Sequence, residues 1–138
     1  MSLSEAIVRS SLSLYASLKF RPASPLQYNI LSTFTLVKSG RSDSGTAENP
    51  VINPVSLGTG VKCLPEAKHS LIGDALNDSH AEVIARRGFI RWILSELRDT
   101  AKAATSSQWI EPKSSGKWGL CKGVSLHMYI STLPCEST

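Results

Sequence analysis

The chain has 138 residues, about one domain's worth, of which 41% are hydrophobic and 19% charged, with a formal net charge of +4. Its three cysteines, Cys63, Cys121 and Cys135, are too few and too odd in number for a disulfide framework, and no apolar run approaches the roughly 20 residues needed to span a bilayer. The mild positive charge suits a polyanionic partner such as RNA, and equally suits a basic globular protein that binds no nucleic acid.

The first segment, Met1 to Phe20, is rich in serine and holds one acidic and two basic residues, Glu5, Arg9 and Lys19. That composition has something of an organellar transit peptide. An amphipathic helix is the preferred reading, with Ile7, Val8, Leu12, Tyr15 and Leu18 near one side. Arg21-Pro22 and Ser24-Pro25 then punctuate a loop. Ile30 to Val37, apolar and β-branched, predicts a buried strand. Ser39 to Pro54 is polar and carries Gly, Asp, Asn and Pro, which predicts a loop. Val55 to Cys63 predicts a second strand in which Gly58 and Gly60 let the backbone bend or admit a close neighbour.

The strongest helix signal follows. Ser79 and Glu82 have capping-box spacing, and Ala81, Ile84, Ala85, Trp92, Ile93 and Leu97 recur with helical periodicity. Val83, Ile90 and Leu94 widen the stripe, so this helix is expected to pack on a sheet and to end near Asp99 to Ala104. Thr105 to Gly119 predicts a loop holding Trp109 and Trp118. Val124 to Thr132 alternates as a third strand, with Leu133-Pro134-Cys135 just past its end. The order helix, strand, strand, helix, strand predicts a layered α/β fold in a single domain over residues 1–138. The N-terminal helical segment occupies 1–22, and the two loops are 39–54 and 105–119.

Two features carry chemistry. His80-Ala81-Glu82 opens the best helix, and Pro134-Cys135 closes a strand about fifty residues later. Zinc takes imidazole nitrogen and thiolate sulfur, and catalytic sites use three protein ligands plus water. A glutamate two residues after a ligand histidine is placed to shuttle that water's proton, the pattern of zinc nucleobase deaminases. Each feature alone is weak: His-Ala-Glu is usually only a helix start, and a buried cysteine is often a small hydrophobe.

The surrounding residues carry a resemblance. Gly58-Thr59-Gly60-Val61-Lys62-Cys63, Leu76-Asn77-Asp78-Ser79-His80-Ala81-Glu82-Val83-Ile84-Ala85-Arg86-Arg87 and Leu126-His127-Met128-Tyr129-Ile130-Ser131-Thr132-Leu133-Pro134-Cys135 closely resemble the editase-type adenosine deaminase domain. That family acts on adenosine in double-stranded RNA or tRNA. The absence of a preceding double-stranded-RNA-binding module favours the tRNA branch, and the expected location is intracellular, nuclear or cytoplasmic. The resemblance implies a layered α-β-α core of the cytidine-deaminase type. It implies that His80 and Cys135 ligate Zn2+ and that Glu82 is the catalytic proton shuttle. It further implies that Asn77, Arg86 and Arg87 lie near a buried inositol hexakisphosphate, that Asp78 belongs to a polar relay between that polyanion and the zinc site, and that Lys62 meets the RNA strand. Read from the residues alone, Arg86 and Arg87 face solvent or pair with carboxylates. Lys113, Lys117 and Lys122, interleaved with Trp109 and Trp118, either touch RNA or form a solvated loop around two packed tryptophans, the second reading being preferred. Cys121 is read as structural.

The sequence departs from the family where Pro-Cys normally continues into Gly-Asp: Cys135 is followed by Glu136, Ser137 and Thr138. A third zinc ligand has no counterpart, so residues 1–138 are expected to be the front part of the domain, inactive and marginally stable by themselves. The runner-up is a catalytically inactive RNA-binding or regulatory fragment. A free-nucleoside or cytidine deaminase is disfavoured, because Pro134-Cys135 lacks the nearby second cysteine.

Overall fold

The computed structural model of the chain describes residues 1–19, 30–41, 47–60, 72, 78–103 and 105–132. Two helices and five strands follow in the order α1 (Leu3–Ser17), β1 (Leu31–Arg41), β2 (Ala47–Thr59), α2 (Ala81–Ala103), β3 (Ile110–Pro112), β4 (Trp118–Leu120) and β5 (Val124–Ile130). A three-stranded antiparallel sheet has the order β2-β1-β5, and β3 and β4 form a separate hairpin.

The first helix is fixed at its start by a capping box. The Ser2 side chain accepts the Glu5 amide at 3.2 Å, and the Glu5 carboxylate accepts the Ser2 amide at 2.7 Å. Its buried positions are Ile7 and Ser11, one turn apart. Leu12 and Leu18, expected on the buried side, are about half exposed. The reason lies in the sheet opposite. It presents the hydroxyl of Thr33, which bonds the Ser11 hydroxyl at 2.6 Å, so a serine rather than a leucine is drawn inward.

The expected loop at 39–54 is corrected: β2 already begins at Ala47 and runs through Pro50 and Pro54. Proline lacks the N–H that a central strand must donate, but β2 is an edge strand. Its pairing with β1 also changes register between Phe34 and Thr35, where Thr35 faces Pro54. The prolines sit where a missing donor is tolerated. The expected second strand holds to Thr59, and Val61 to Cys63 lie outside the described residues.

Successive β1 residues point to opposite faces. Thr33 bonds α1, while Phe34 stacks on Phe89 of α2 with ring centroids 5.2 Å apart, and Phe89 in turn stacks on Trp92. The helices therefore cover opposite faces, giving the α-β-α layering that the sequence predicts. The expected loop at 105–119 is corrected in part, since it contains the β3–β4 hairpin. Its two tryptophans diverge: Trp109 is buried with Leu36 and Ile110 in the main core, whereas Trp118 is 43% exposed. Val55, Trp92, Leu97, Leu120 and Val124 close around that core. Cys121 is half-buried, its thiol directed at the Ser107 carbonyl, and burial raises its pKa above the ordinary thiol value. Among the described residues no helix is long and apolar enough to cross a membrane.

Candidate active site

The site is set by how α2 begins. His80 precedes the first helical residue, and its carbonyl accepts the amides of Val83 and Ile84, each at 3.1 Å. The preceding turn is closed by Asp78: its Oδ1 accepts the His80 amide at 2.9 Å and stands 2.9 Å from the His80 Nδ1. One carboxylate oxygen thus fixes both the backbone and the ring of the histidine, an Asx-type turn that satisfies an otherwise open donor. The bond from the His80 amide is the largest influence on Asp78. With the imidazole contact it holds the carboxyl below its ordinary value, outweighing the opposing effect of burial.

Glycines then press this helix start against β2. Gly60 accepts the Ala81 amide on its carbonyl at 3.2 Å, and its own amide reaches the Ile30 carbonyl at 3.3 Å. A Cβ on Gly60 would stand 1.9 Å from the Ser79 carbonyl oxygen. One on Gly58 would stand 2.2 Å from the Ala81 carbonyl oxygen and 2.5 Å from the Ala85 nitrogen. Only a residue without a side chain lets two backbones come this close. One turn further on, the Ser56 hydroxyl donates to the Ala85 carbonyl at 2.8 Å.

Glu82 is the second helical residue and half-buried, so its carboxylate stands at the positive end of the α2 dipole. His80 is also partly buried, with 26% of its side chain exposed. Of the residues expected at the site, the structure therefore brings His80, Glu82 and Asp78 to one helix start. Arg86 and Arg87 follow on the same helix and are exposed. Lys62, Asn77 and Cys135 lie outside the described residues, as does Cys63. Among the described residues no three metal-binding side chains gather at one point. The grip of Asp78 on the histidine ring and the Ser56 clamp lie outside what the motif alone predicts. For Asp78 a signal was present, an Asp two residues before His at a helix start.

Residues 56–137 match the model of the adenosine-deaminase (editase) domain. The human tRNA-specific adenosine deaminase 1 is 34% identical over 121 residues, covering 85% of this chain and 24% of that protein. The rat double-stranded RNA-specific adenosine deaminase is 46% identical over 82 residues, covering 59% of this chain and 7% of that protein. The tRNA-specific adenosine deaminase 1 of Drosophila melanogaster is 59% identical over 44 residues, covering 32% of this chain and 11% of that protein. The chain thus spans a quarter or less of the length of these relatives. No solved structure matches it.

Proposed function

The chain belongs to the adenosine-deaminase (editase) domain family, and from that membership we propose that its site serves the hydrolytic conversion of adenosine to inosine in RNA, with tRNA as the substrate. The observation that carries the reading is the helix start itself, where Asp78 holds His80 two residues before a half-buried Glu82. The tRNA assignment is favoured by reach. The match to the human tRNA-specific relative extends over 85% of this chain, that to the rat double-stranded RNA-specific relative over 59%.

The donor chemistry fits zinc. An imidazole and a thiolate, His80 and Cys135, are the ligand types that this metal takes. The structure also shows the feature that orients a ligating histidine, a carboxylate against one ring nitrogen. As it stands, the ring offers a metal its Nε2, or its Nδ1 once Asp78 lets go. When bound, zinc would bring the pKa of a water molecule down towards neutrality. Glu82 would take one proton of the water and pass it to a ring nitrogen of the adenine as the water oxygen bonds C6, and would then carry the proton of the new C6 hydroxyl to the amino group as the C6–N bond breaks, so that adenosine and water give inosine and ammonia.

For an inositol polyphosphate, two of the three expected contacts, Arg86 and Arg87, are exposed on α2, and the third, Asn77, lies outside the described residues. No step is assigned to that group.

The test is the inosine content of tRNA, read by nuclease digestion and mass spectrometry after incubation with protein carrying these 138 residues. Glu82→Gln is expected to abolish inosine while leaving bound zinc unchanged, and His80→Ala to remove the zinc as well. Inosine formed at wild-type rate by Glu82→Gln refutes the assignment.

A further inference from the structure

We propose that the β3–β4 hairpin and the turn before β5 form an RNA-binding surface at the opposite end of the sheet from His80, with Lys113, Lys117 and Lys122 meeting phosphates and Trp118 stacking on a base. The inference rests on the reading of the chain as an RNA deaminase and names a part of its substrate contact that lies outside the catalytic end.

Four lysines gather there. The turn at 113–117 is closed by the Lys113 amide bonding the Lys117 carbonyl at 2.7 Å and the Gly116 amide bonding the Lys113 carbonyl at 3.0 Å. That tight turn holds Lys113 and Lys117 side by side. Lys122 lies in the next turn, which is tied to the end of β1. There the Ser39 amide donates to the Gly123 carbonyl at 2.9 Å, with the Ser39 hydroxyl adding a second bond at 3.2 Å. Lys38 pairs with Val124 in the sheet register, which brings the fourth lysine to this end of the sheet. Two carboxylates oppose them. Glu111 is already engaged by Lys113, and Glu96 accepts the Ser107 hydroxyl at 2.5 Å. Lys113, Lys117 and Lys122 are exposed, and among the described residues Lys117 and Lys122 have no ion-pair partner.

The two tryptophans separate structure from surface. Trp109 is consumed by the core, but Trp118 keeps 43% of its area exposed beside Lys117. An indole beside one unpaired cation, with a second in the next turn, is a combination that binds single-stranded nucleic acid, by base stacking and phosphate neutralisation together. The surface also has a fixed relation to the catalytic end. β5 starts beside the lysine cluster and ends at Ile130, whose β1 partner Ser32 lies near the β1 start that receives Gly60. Its seven residues set the two ends about 20 Å apart. A folded RNA several nucleotides long reaches across that distance, so one substrate can occupy both.

The test is fluorescence anisotropy of the purified chain with a labelled tRNA transcript over a series of salt concentrations, with folding of each variant checked by circular dichroism. The variant Lys113→Gln/Lys117→Gln/Lys122→Gln is expected to bind at least ten-fold more weakly, and its slope of log affinity against log salt is expected to fall by two to three. A comparator that removes three cations elsewhere, Arg9→Gln/Lys19→Gln/Arg98→Gln, is expected to stay within two-fold of wild type. Trp118→Ala is expected to bind about five-fold more weakly with the slope unchanged. Equal losses in the hairpin variant and the comparator, or wild-type affinity in the hairpin variant, overturn the surface and leave the deaminase reading to the inosine assay. No tRNA affinity in the wild-type chain overturns the surface as well. Unchanged affinity in Trp118→Ala overturns the stacking contact and leaves that indole as a wall of the apolar cavity that it shares with Phe89, Ile93 and Leu126.

Discussion

Gly58→Ala tests whether the catalytic helix is held by backbone contact. The new Cβ would stand 2.2 Å from the Ala81 carbonyl oxygen and 2.5 Å from the Ala85 nitrogen, where about 3.5 Å is comfortable. Both obstacles are backbone atoms, so no rotamer change relieves them, and α2 must move out by about 1 Å. Overpacking of this kind costs about 1–3 kcal/mol. The same shift stretches the bond from Ser56 to Ala85, worth about 1 kcal/mol. The expected loss is about 3 kcal/mol, roughly a hundred-fold in the folding constant. Urea unfolding monitored by far-ultraviolet circular dichroism reads it as a lower midpoint at an unchanged slope. Gly88→Ala is the comparator: its Cβ meets only the Ser56 side chain, the Cβ at 3.1 Å and the Oγ at 3.9 Å. That crowding is offset by a helix-propensity gain of up to about 1 kcal/mol, which keeps this variant within about 1 kcal/mol of wild type. If the two variants lose the same stability, or Gly58→Ala loses less than about 0.5 kcal/mol, close backbone packing is not what seats the helix.

Three further outcomes follow from the same structure. Thr35 is fully buried with an unpartnered hydroxyl, so Thr35→Val is expected to raise stability by about 1 kcal/mol, seen as a higher urea midpoint. Ser11→Ala strands the buried Thr33 hydroxyl and is expected to cost about 1–3 kcal/mol, whereas Leu12→Ala, at an exposed position of the same helix, is expected to cost less than about 1 kcal/mol. Asp78 has a folded pKa below its unfolded value of 3.8, so its stabilising contribution is present above pH 3.8 and is lost as pH falls through the folded value. The gap in urea midpoint between wild type and Asp78→Ala is therefore expected to be larger at pH 6 than at pH 3, and a gap that is constant or widens on acidification contradicts the geometry.

Much of this fold is legible in the sequence where side-chain pattern alone decides. The helical period of α2 and the alternation of β5 place both elements within a residue or two of where they form, although Ile90, Leu94, Leu126 and Met128, apolar members of those patterns, stay exposed. The pattern fails where context decides. Pro50 and Pro54 signal a loop in any local reading, and only the edge position of β2 and its register shift make them strand residues. Trp109 and Trp118 look alike in sequence, and the hairpin that buries one and exposes the other is held by three-residue strands too short to carry a period. Leu12 looks like core, yet Ser11 is drawn inward by a hydroxyl that comes from 22 residues away. At the site, the spacing of His80 and Glu82 is visible as letters, and Gly58 and Gly60 are visible as points of close approach. The grip of Asp78 on the imidazole depends on a turn whose geometry no spacing rule specifies.

The sheet also dictates an order of events as the chain is made. β1 sits in the middle, pairing on one side with its near neighbour β2 and on the other with β5, whose Ser131 flank bonds Leu31 across 100 residues. Emerging from a ribosome, β1 and β2 can zip together early, followed by α2 docking onto them. β1 must then wait with one row of amides and carbonyls open until β5, which ends 71 residues after β2 (130 − 59), has been synthesised, at about 5–20 residues per second. For several seconds the nascent polypeptide offers a bare strand to any other extended segment nearby. Slower synthesis between α2 and β5 lengthens that exposure.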